Sequence, residues 1–403
     1  HEEPIPSIRS IMTQSLSVRE ARKIVLYSQC LDNRRHFGSG TDGTLEAIEH
    51  LGYVQLDTLS VVERAHHHTL WNRLGKFQPL HIDQLQREGQ IFEHWAHALA
   101  LLPMKDYRFS LPMMNRIAAG DIHWSPKNTR VTKNVLERIK AEGPLQARDF
   151  GGKRPDNKMW SRSPSKRALE QLFIEGELMI PYRINFRKVY DLRERVLPTG
   201  VDTSVPSEEE LCRHLIASFL RAHGLGSVKE MNYLRKGIGP AMRRTAKEME
   251  EDGLVVPIEI KGKGQEYFST SSTLALQLQN LPRSSLRILS PFDNAIIQRN
   301  RVNKLFDFDY QIECYVKKDK RQFGYFCLPI LHRNSLVGRI DAKADRKRGV
   351  LLLYLLQLET SITDTDAVLK ALNPELKRFA VFNGCDTLQL CHYNGNGRHP
   401  DFA

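Results

Sequence analysis

A chain of 403 residues is too long for one hydrophobic core and is expected to divide into two to four domains. Its net charge of +12 and pI near 9.4 make an anionic partner, nucleic acid foremost, a first expectation, with a merely solubilising excess of Lys and Arg as the alternative. Six cysteines without a C-x-x-C pair argue against a disulfide framework, and the most apolar run, "VLLLYLLQL", is far shorter than the roughly 18 residues of a membrane helix.

The opening "HEEPIPSIRSIMTQS" lacks an apolar signal core, so a cytoplasmic protein is expected, with Met12 rather than His1 as its natural start. "SVREARKIVLYSQCL" predicts a first helix, followed by a Gly-rich loop, "FGSGTDG". That loop follows no strand and is too short for a nucleotide fingerprint. "TLEAIEHLGYVQLD" then predicts a helix stopped by Gly52 and a strand over Tyr53–Asp57.

The same junction recurs twice, in "ALEQLFIEGELMIPYRI" at Gly176 and in "TAKEMEEDGLVVPIEI" at Gly253. Around the second copy, "NVLERIKAEGPLQARDF" and "RINFRKVYDL" complete an order of helix, turn, helix, helix, hairpin. Around the third, "EELCRHLIASFLRAHGLGSVKEMNYL" precedes the junction and a Gly-Lys-Gly turn closes "IEIKGKGQEYFS". This order predicts winged helices, with the first copy looser than the others. Beyond "LPRSSLRILSPFDN" the runs "FDFDYQIECYVKK", "QFGYFCLPILH" and "SLVGRIDAKADRKRGVLLLYLLQLE" predict strands of a small barrel, closed by a helix in "TDTDAVLKALNPELKRFAVFNG". The expected fold is therefore α+β: three tandem winged-helix motifs over 16–120, 121–205 and 206–288, then a β-rich C-terminal domain over 289–403. The tail "CHYNGNGRHPDFA" is left unassigned.

Charge is concentrated in the second copy. Between Asp121 and Gly200 stand 17 Lys and Arg against 10 Asp and Glu, a net of +7. Lys153, Arg154, Lys158, Arg162, Lys166 and Arg167 are candidate phosphate contacts, with solvated surface charge as the alternative for each.

Comparison of the three junctions isolates a candidate site. Three and five residues past Gly176 stand Met179 and Pro181; past Gly253, Val256 and Ile258; past Gly52, Gln55 and Asp57. An amide and a carboxylate on a strand face that is neutral in both other copies mark an expected functional site. The alternative is that Asp57 caps a helix running through "DTLSVVER". In "QIFEHWAHALALLP", His94 and His97 are spaced to share a helix face, without a third ligand for zinc. Trp95 and His97 are candidates to line a pocket beside the strand, or else belong to an ordinary core. His66, His67 and His68 are expected at the surface. Cys385, Cys391 and His392 form only a weak group, expected to be structural or incidental. No P-loop, G-x-S-x-G or acidic nuclease cluster occurs, and no metal or organic cofactor is expected.

Several segments together resemble the YcaQ/AlkZ-type bacterial DNA glycosylases. They are "LGYVQLDTLSVVERAHHHTLWNRLG", "EHWAHALALLPMKDYR", "GPLQARDF", "NFRKVYDLRERVLP", "LSPFDNAIIQRNRVNKLFDFDYQIECY" and "KRQFGYFCLPILHRNSLVGRIDAKADR". The family's Gln-apolar-Asp motif is matched by Gln55-Leu56-Asp57, the variant of the YcaQ-like branch, and its "WAH" segment by Trp95-Ala96-His97. The resemblance implies a monofunctional glycosylase acting on double-stranded DNA that carries alkylated or crosslinked guanine. Gln55 and Asp57 would be catalytic, Trp95 and His97 would line the site, and no metal would take part. Tandem repeats without a coiled coil suit a monomer. The alternative is a winged-helix transcriptional regulator without catalysis.

Overall fold

The computed structural model describes residues 14–32, 34–123, 128–151, 163–282, 285–396 and 399–402. The chain forms two compact units: one of His1–Arg34, Cys212–Pro291 and Ala295–Ala403, the other of Arg35–Leu211 with Phe292–Asn294.

The chain begins in the first unit with β1 (Gln14–Leu16) and α1 (Val18–Ser28), whose start is fixed by a Ser17/Glu20 capping box. The second unit then opens with α2 (Gly40–Leu51), which ends where Gly52 takes a φ of +76°. Next come β2 (Val54–Gln55), α3 (Ala65–Trp71), α4 (Leu80–Arg87), and the hairpin of β3 (Ile91–Trp95) and β4 (Leu99–Pro103). β2 pairs with β4, giving an antiparallel sheet in the order β2-β4-β3. After α5 (Leu111–Ala119), the unit continues through α6 (Thr129–Glu142), β5 (Leu145–Gln146), α7 (Pro164–Ile174), β6 (Leu178–Ile184), β7 (Arg187–Leu192) and α8 (Arg193–Val196).

β5, β7 and β6 form a second small sheet, and Val135, Ile139, Leu169, Leu172, Phe173 and Tyr190 join its helices to it. Glu93 on β3 accepts two N–H bonds of 2.6 Å from Arg183 on β6, and one from Gln86 on α4. This buried fork fixes the β3–β4 hairpin, and with it the neighbouring β2, against the rest of the unit.

The first unit resumes with α9 (Glu208–His223), β8 (Leu225–Gly226), α10 (Val228–Met231), α11 (Gly239–Glu251), β9 (Val256–Ile260), β10 (Glu266–Ser269) and α12 (Ser271–Leu274). β1 pairs in parallel with β9, extending this sheet to β1-β9-β10-β8. β11 (Leu286–Ile288), α13 (Arg299–Phe306), β12 (Cys327–His332), β13 (Ser335–Asp345), β14 (Val350–Leu358), α14 (Thr365–Phe382), β15 (Thr387–Leu390) and β16 (Tyr393–Asn394) complete the unit.

The last sheet runs in the order β11-β12-β13-β14-β15 with β16 on β14, a curled half-barrel where a small barrel was expected. Its register shifts at Ile330/Leu331 and Asp341/Ala342 supply curl, because a bulge bends its strand and increases twist. "FDFDYQIECYVKK" does not form the strand expected of it. Phe308 and Tyr310 are buried while Asp307 and Asp309 are exposed, so the alternation is real. The chain there is nevertheless held by side chains: Arg339 donates to the Asp309 carbonyl, and the Tyr310 hydroxyl donates to that of Cys327. Among the described residues, no helix is long and apolar enough to cross a membrane.

Candidate active site

The ladder places Val54 opposite Leu101 and Gln55 opposite Ala100, and the Leu56 N–H donates to Leu99 O over 2.9 Å. Val54 and Leu56 are buried, which anchors the strand; Gln55, on the alternate position, is buried too, at 8% exposure. A buried amide needs partners. Gln55 has one in His97, whose Nε2 lies 3.0 Å from Gln55 Oε1.

His97 does not share a helix face with His94, as the spacing predicted. It occupies the β3–β4 turn, closed by the Ala96 N–H on Ala98 O, whereas His94 is buried in β3. His94 packs against Phe173 and lies 3.3 Å from Ile174 O, and burial pulls its imidazole down to about 4, leaving it neutral. Tyr53 meets the His97 ring edge-on with centroids 5.0 Å apart. Trp95, at the end of β3, is partly exposed.

Asp57 lies just beyond the ladder. Its Oδ1 accepts the Leu59 N–H over 2.7 Å, the two-residue turn typical of Asp in loops. It caps no helix: α3 starts eight residues further on, at Ala65, with Arg64 in the capping position. The helical reading of "DTLSVVER" is thereby overturned. Burial raises the Asp57 carboxyl above its ordinary value, opposed by the Leu59 bond, and among the described residues no basic side chain forms an ion pair with it. An ionised Asp57 is thus a strong acceptor, with capacity left over and no ion-pair partner among the described residues.

Two supports of this strand were missed in the sequence. Asn294 Nδ2 donates to the Tyr53 carbonyl over 3.0 Å, and beside it Asp293 forms a two-pronged pair with Arg73 at 2.8 and 2.9 Å. A polar Asp-Asn pair inside the apolar run "LSPFDNAII" is the signal that could have found them.

The other candidates fall elsewhere. His66 and His68 are buried in α3 rather than at the surface, because the His66 ring stacks on Phe186 and the His68 ring packs near Trp71. His67 pairs with Glu63 at 2.9 Å. Among the described residues, no three His, Cys, Asp or Glu side chains gather into a metal-holding cluster. Lys166 and Arg167 are exposed in the first turn of α7, where Ser163 caps the helix. Lys153, Arg154, Lys158 and Arg162 lie outside the described residues. Leu56, Arg64, His66, Glu93, Arg183 and Phe186 help line a cavity of about 460 Å³ whose walls include neither Gln55 nor Asp57.

The fold is that of a solved DNA glycosylase. AlkZ of Streptomyces sahachiroi matches with a TM-score of 0.64 at 15% identity, over 94% of this chain and all of that one. The family model described as "DNA glycosylase AlkZ-like" matches residues 48–382, and the chain belongs to that family. A DNA glycosylase role in DNA repair follows from the membership.

Proposed function

We propose that this protein hydrolyses the N-glycosidic bond of N7-alkylguanine in double-stranded DNA, unhooking interstrand crosslinks and excising cationic monoadducts without cleaving the abasic product. The observation that carries this reading is Asp57, a partly buried carboxylate with no cationic partner among the described residues, beside a buried amide held by His97. Alkylation at N7 makes the base cationic, so it departs neutral and needs no general acid. One carboxylate then suffices where many glycosidases use two. Asp57 stabilises the oxocarbenium-like sugar or takes the proton of the attacking water, and Gln55 holds that water.

With its Nε2 proton donated to Gln55 Oε1, His97 turns the Gln55 NH₂ toward the water. Trp95 and His97 line the site. A base tethered to both strands cannot swing into a deep pocket, which suits a motif that does not line that cavity. We read the three repeated units as winged helices that carry the duplex. Lys153, Arg154, Lys158, Arg162, Lys166 and Arg167, all in the second of them, are phosphate contacts, and the protein acts as a monomer.

The test is incubation with duplexes carrying a defined N7-guanine crosslink or an N7-methylguanine. Denaturing gels are expected to show unhooked strands from the first, and alkali-labile abasic sites from the second. Intact crosslinks and intact N7-methylguanine would refute the proposal. Unhooking that is lost to a chelator would redirect it to metal chemistry.

His97 yields its own prediction. His97→Ala should slow single-turnover excision by on the order of 10²-fold with little change in DNA affinity. His97→Gln, which keeps an N–H near the Nε2 position, should restore part of the rate. In a Gln55→Ala background, His97→Ala should cost nothing further. Additive losses would show that His97 acts independently of Gln55.

A further inference from the structure

The segment Glu313–Gly324 joins two buried stretches of the first unit, and it is a fixed loop rather than a loose one. The Glu313 carboxylate accepts three backbone N–H groups from the far side: Gln322 and Phe323 at 2.7 Å and Gly324 at 3.1 Å. Arg321 braces the interior through Nε to Val316 O at 2.9 Å, and its guanidinium stacks over Tyr325. At the exit, Gly324 has a φ of +136°, and a Cβ there would collide with the Asp341 carboxylate, which itself accepts the Tyr325 and Phe326 N–H groups. Two carboxylates are thus spent on holding the loop's base.

What this frame presents is Tyr315, 79% exposed, with Lys317, Lys318 and Lys320 also exposed around a single acid, Asp319. A solubilising run of lysines needs no fixed shape. An ordered loop that shows an aromatic face beside three cations has the composition of a surface that grips a phosphate backbone and stacks on an unpaired base. We infer that the loop Glu313–Gly324 is a DNA contact of the β-rich part of the chain, with Lys317, Lys318 and Lys320 on phosphates and Tyr315 stacking on a base exposed at a strand end or frayed step. The choice of DNA as the polyanion rests on the glycosylase reading.

The experiment measures binding of the full-length chain to labelled, undamaged DNA by fluorescence anisotropy, between about 50 and 200 mM salt. One probe is a blunt duplex and the other carries a single-stranded overhang. The triple variant Lys317→Gln, Lys318→Gln, Lys320→Gln should bind both probes more weakly and flatten the slope of log affinity against log salt by about 2 to 3. Tyr315→Ala should keep the wild-type slope and weaken the overhang probe selectively, by about five- to a hundredfold. Glu313→Gln, which weakens the loop's closure, should reproduce part of both losses. An unchanged slope in the triple variant would overturn the phosphate contacts. Equal affinity of Tyr315→Ala and wild type for the overhang probe would overturn the stacking. A wild-type chain that binds neither probe would instead overturn DNA as the partner.

Discussion

Asp57→Asn is expected to abolish most base release and, at the same time, to stabilise the protein. Loss of a positioned carboxylate should slow excision of N7-methylguanine by about 10² to 10⁴-fold in single turnover. The stabilisation comes from the same burial that makes Asp57 suspicious. Burial raises its folded pKa above the unfolded value, so ionising it in the folded state is penalised. The penalty is absent below the unfolded pKa and sets in as pH rises between the unfolded and the folded value. Asn is neutral throughout and keeps an oxygen to accept the Leu59 N–H. Its gain, on the order of 1 kcal/mol, should therefore be full at neutral pH and vanish in acid. Melting curves at several pH values check this, and an unchanged melting temperature at neutral pH would show that the carboxylate carries no such strain.

The pH dependence of catalysis follows from the same shift with the opposite consequence. The proposed chemistry requires ionised Asp57, so the rate should fall as pH drops through a folded pKa higher than that of an ordinary aspartate. A limb at the ordinary aspartate value would mean that the burial is relieved when DNA binds.

Local punctuation made much of this legible in the sequence. Gly52, Gly176 and Gly253 all take the positive φ expected where a helix stops and an extended run begins. That repeat is what exposed Gln55 and Asp57 as exceptions, and the structure places His97 beside that strand, against Gln55. The failures were long-range. β3 reads as helix-compatible because its first four residues are all buried, which removes the polar–apolar alternation that marks a half-exposed strand. The buried state of His66 depends on Phe186, at the tip of a hairpin 120 residues away in the chain. The strand-like texture of "FDFDYQIECYVKK" reported alternating burial correctly but could not reveal that its backbone lacks a ladder partner. Asn294 and Asp293 support β2 and α3 from more than 200 residues downstream, and no local pattern encodes that reach.

The Arg73–Asp293 pair should therefore be the most costly link to break outside the reacting groups. Both side chains are fully buried, and Arg73 Nη1 also donates to Thr69 O at 2.8 Å, so neither charge has water to fall back on. Asp293→Ala or Arg73→Ala strands the other charge and should destabilise the second unit by about 3–5 kcal/mol, read as a lower urea midpoint. The double variant Arg73→Met, Asp293→Leu removes both charges while filling the space, and should regain most of that loss. It would nonetheless remain slow in excision. Asp293 positions its neighbour Asn294, which holds the Tyr53 carbonyl two residues before Gln55, and apolar packing cannot reproduce the fixed geometry of a two-pronged pair. Recovery of stability without recovery of rate is the expected signature. Recovery of both would mean that the pair only holds the unit together, and a double variant as unstable as the singles would mean that the pair's hydrogen bonds, rather than the stranded charge, set the cost.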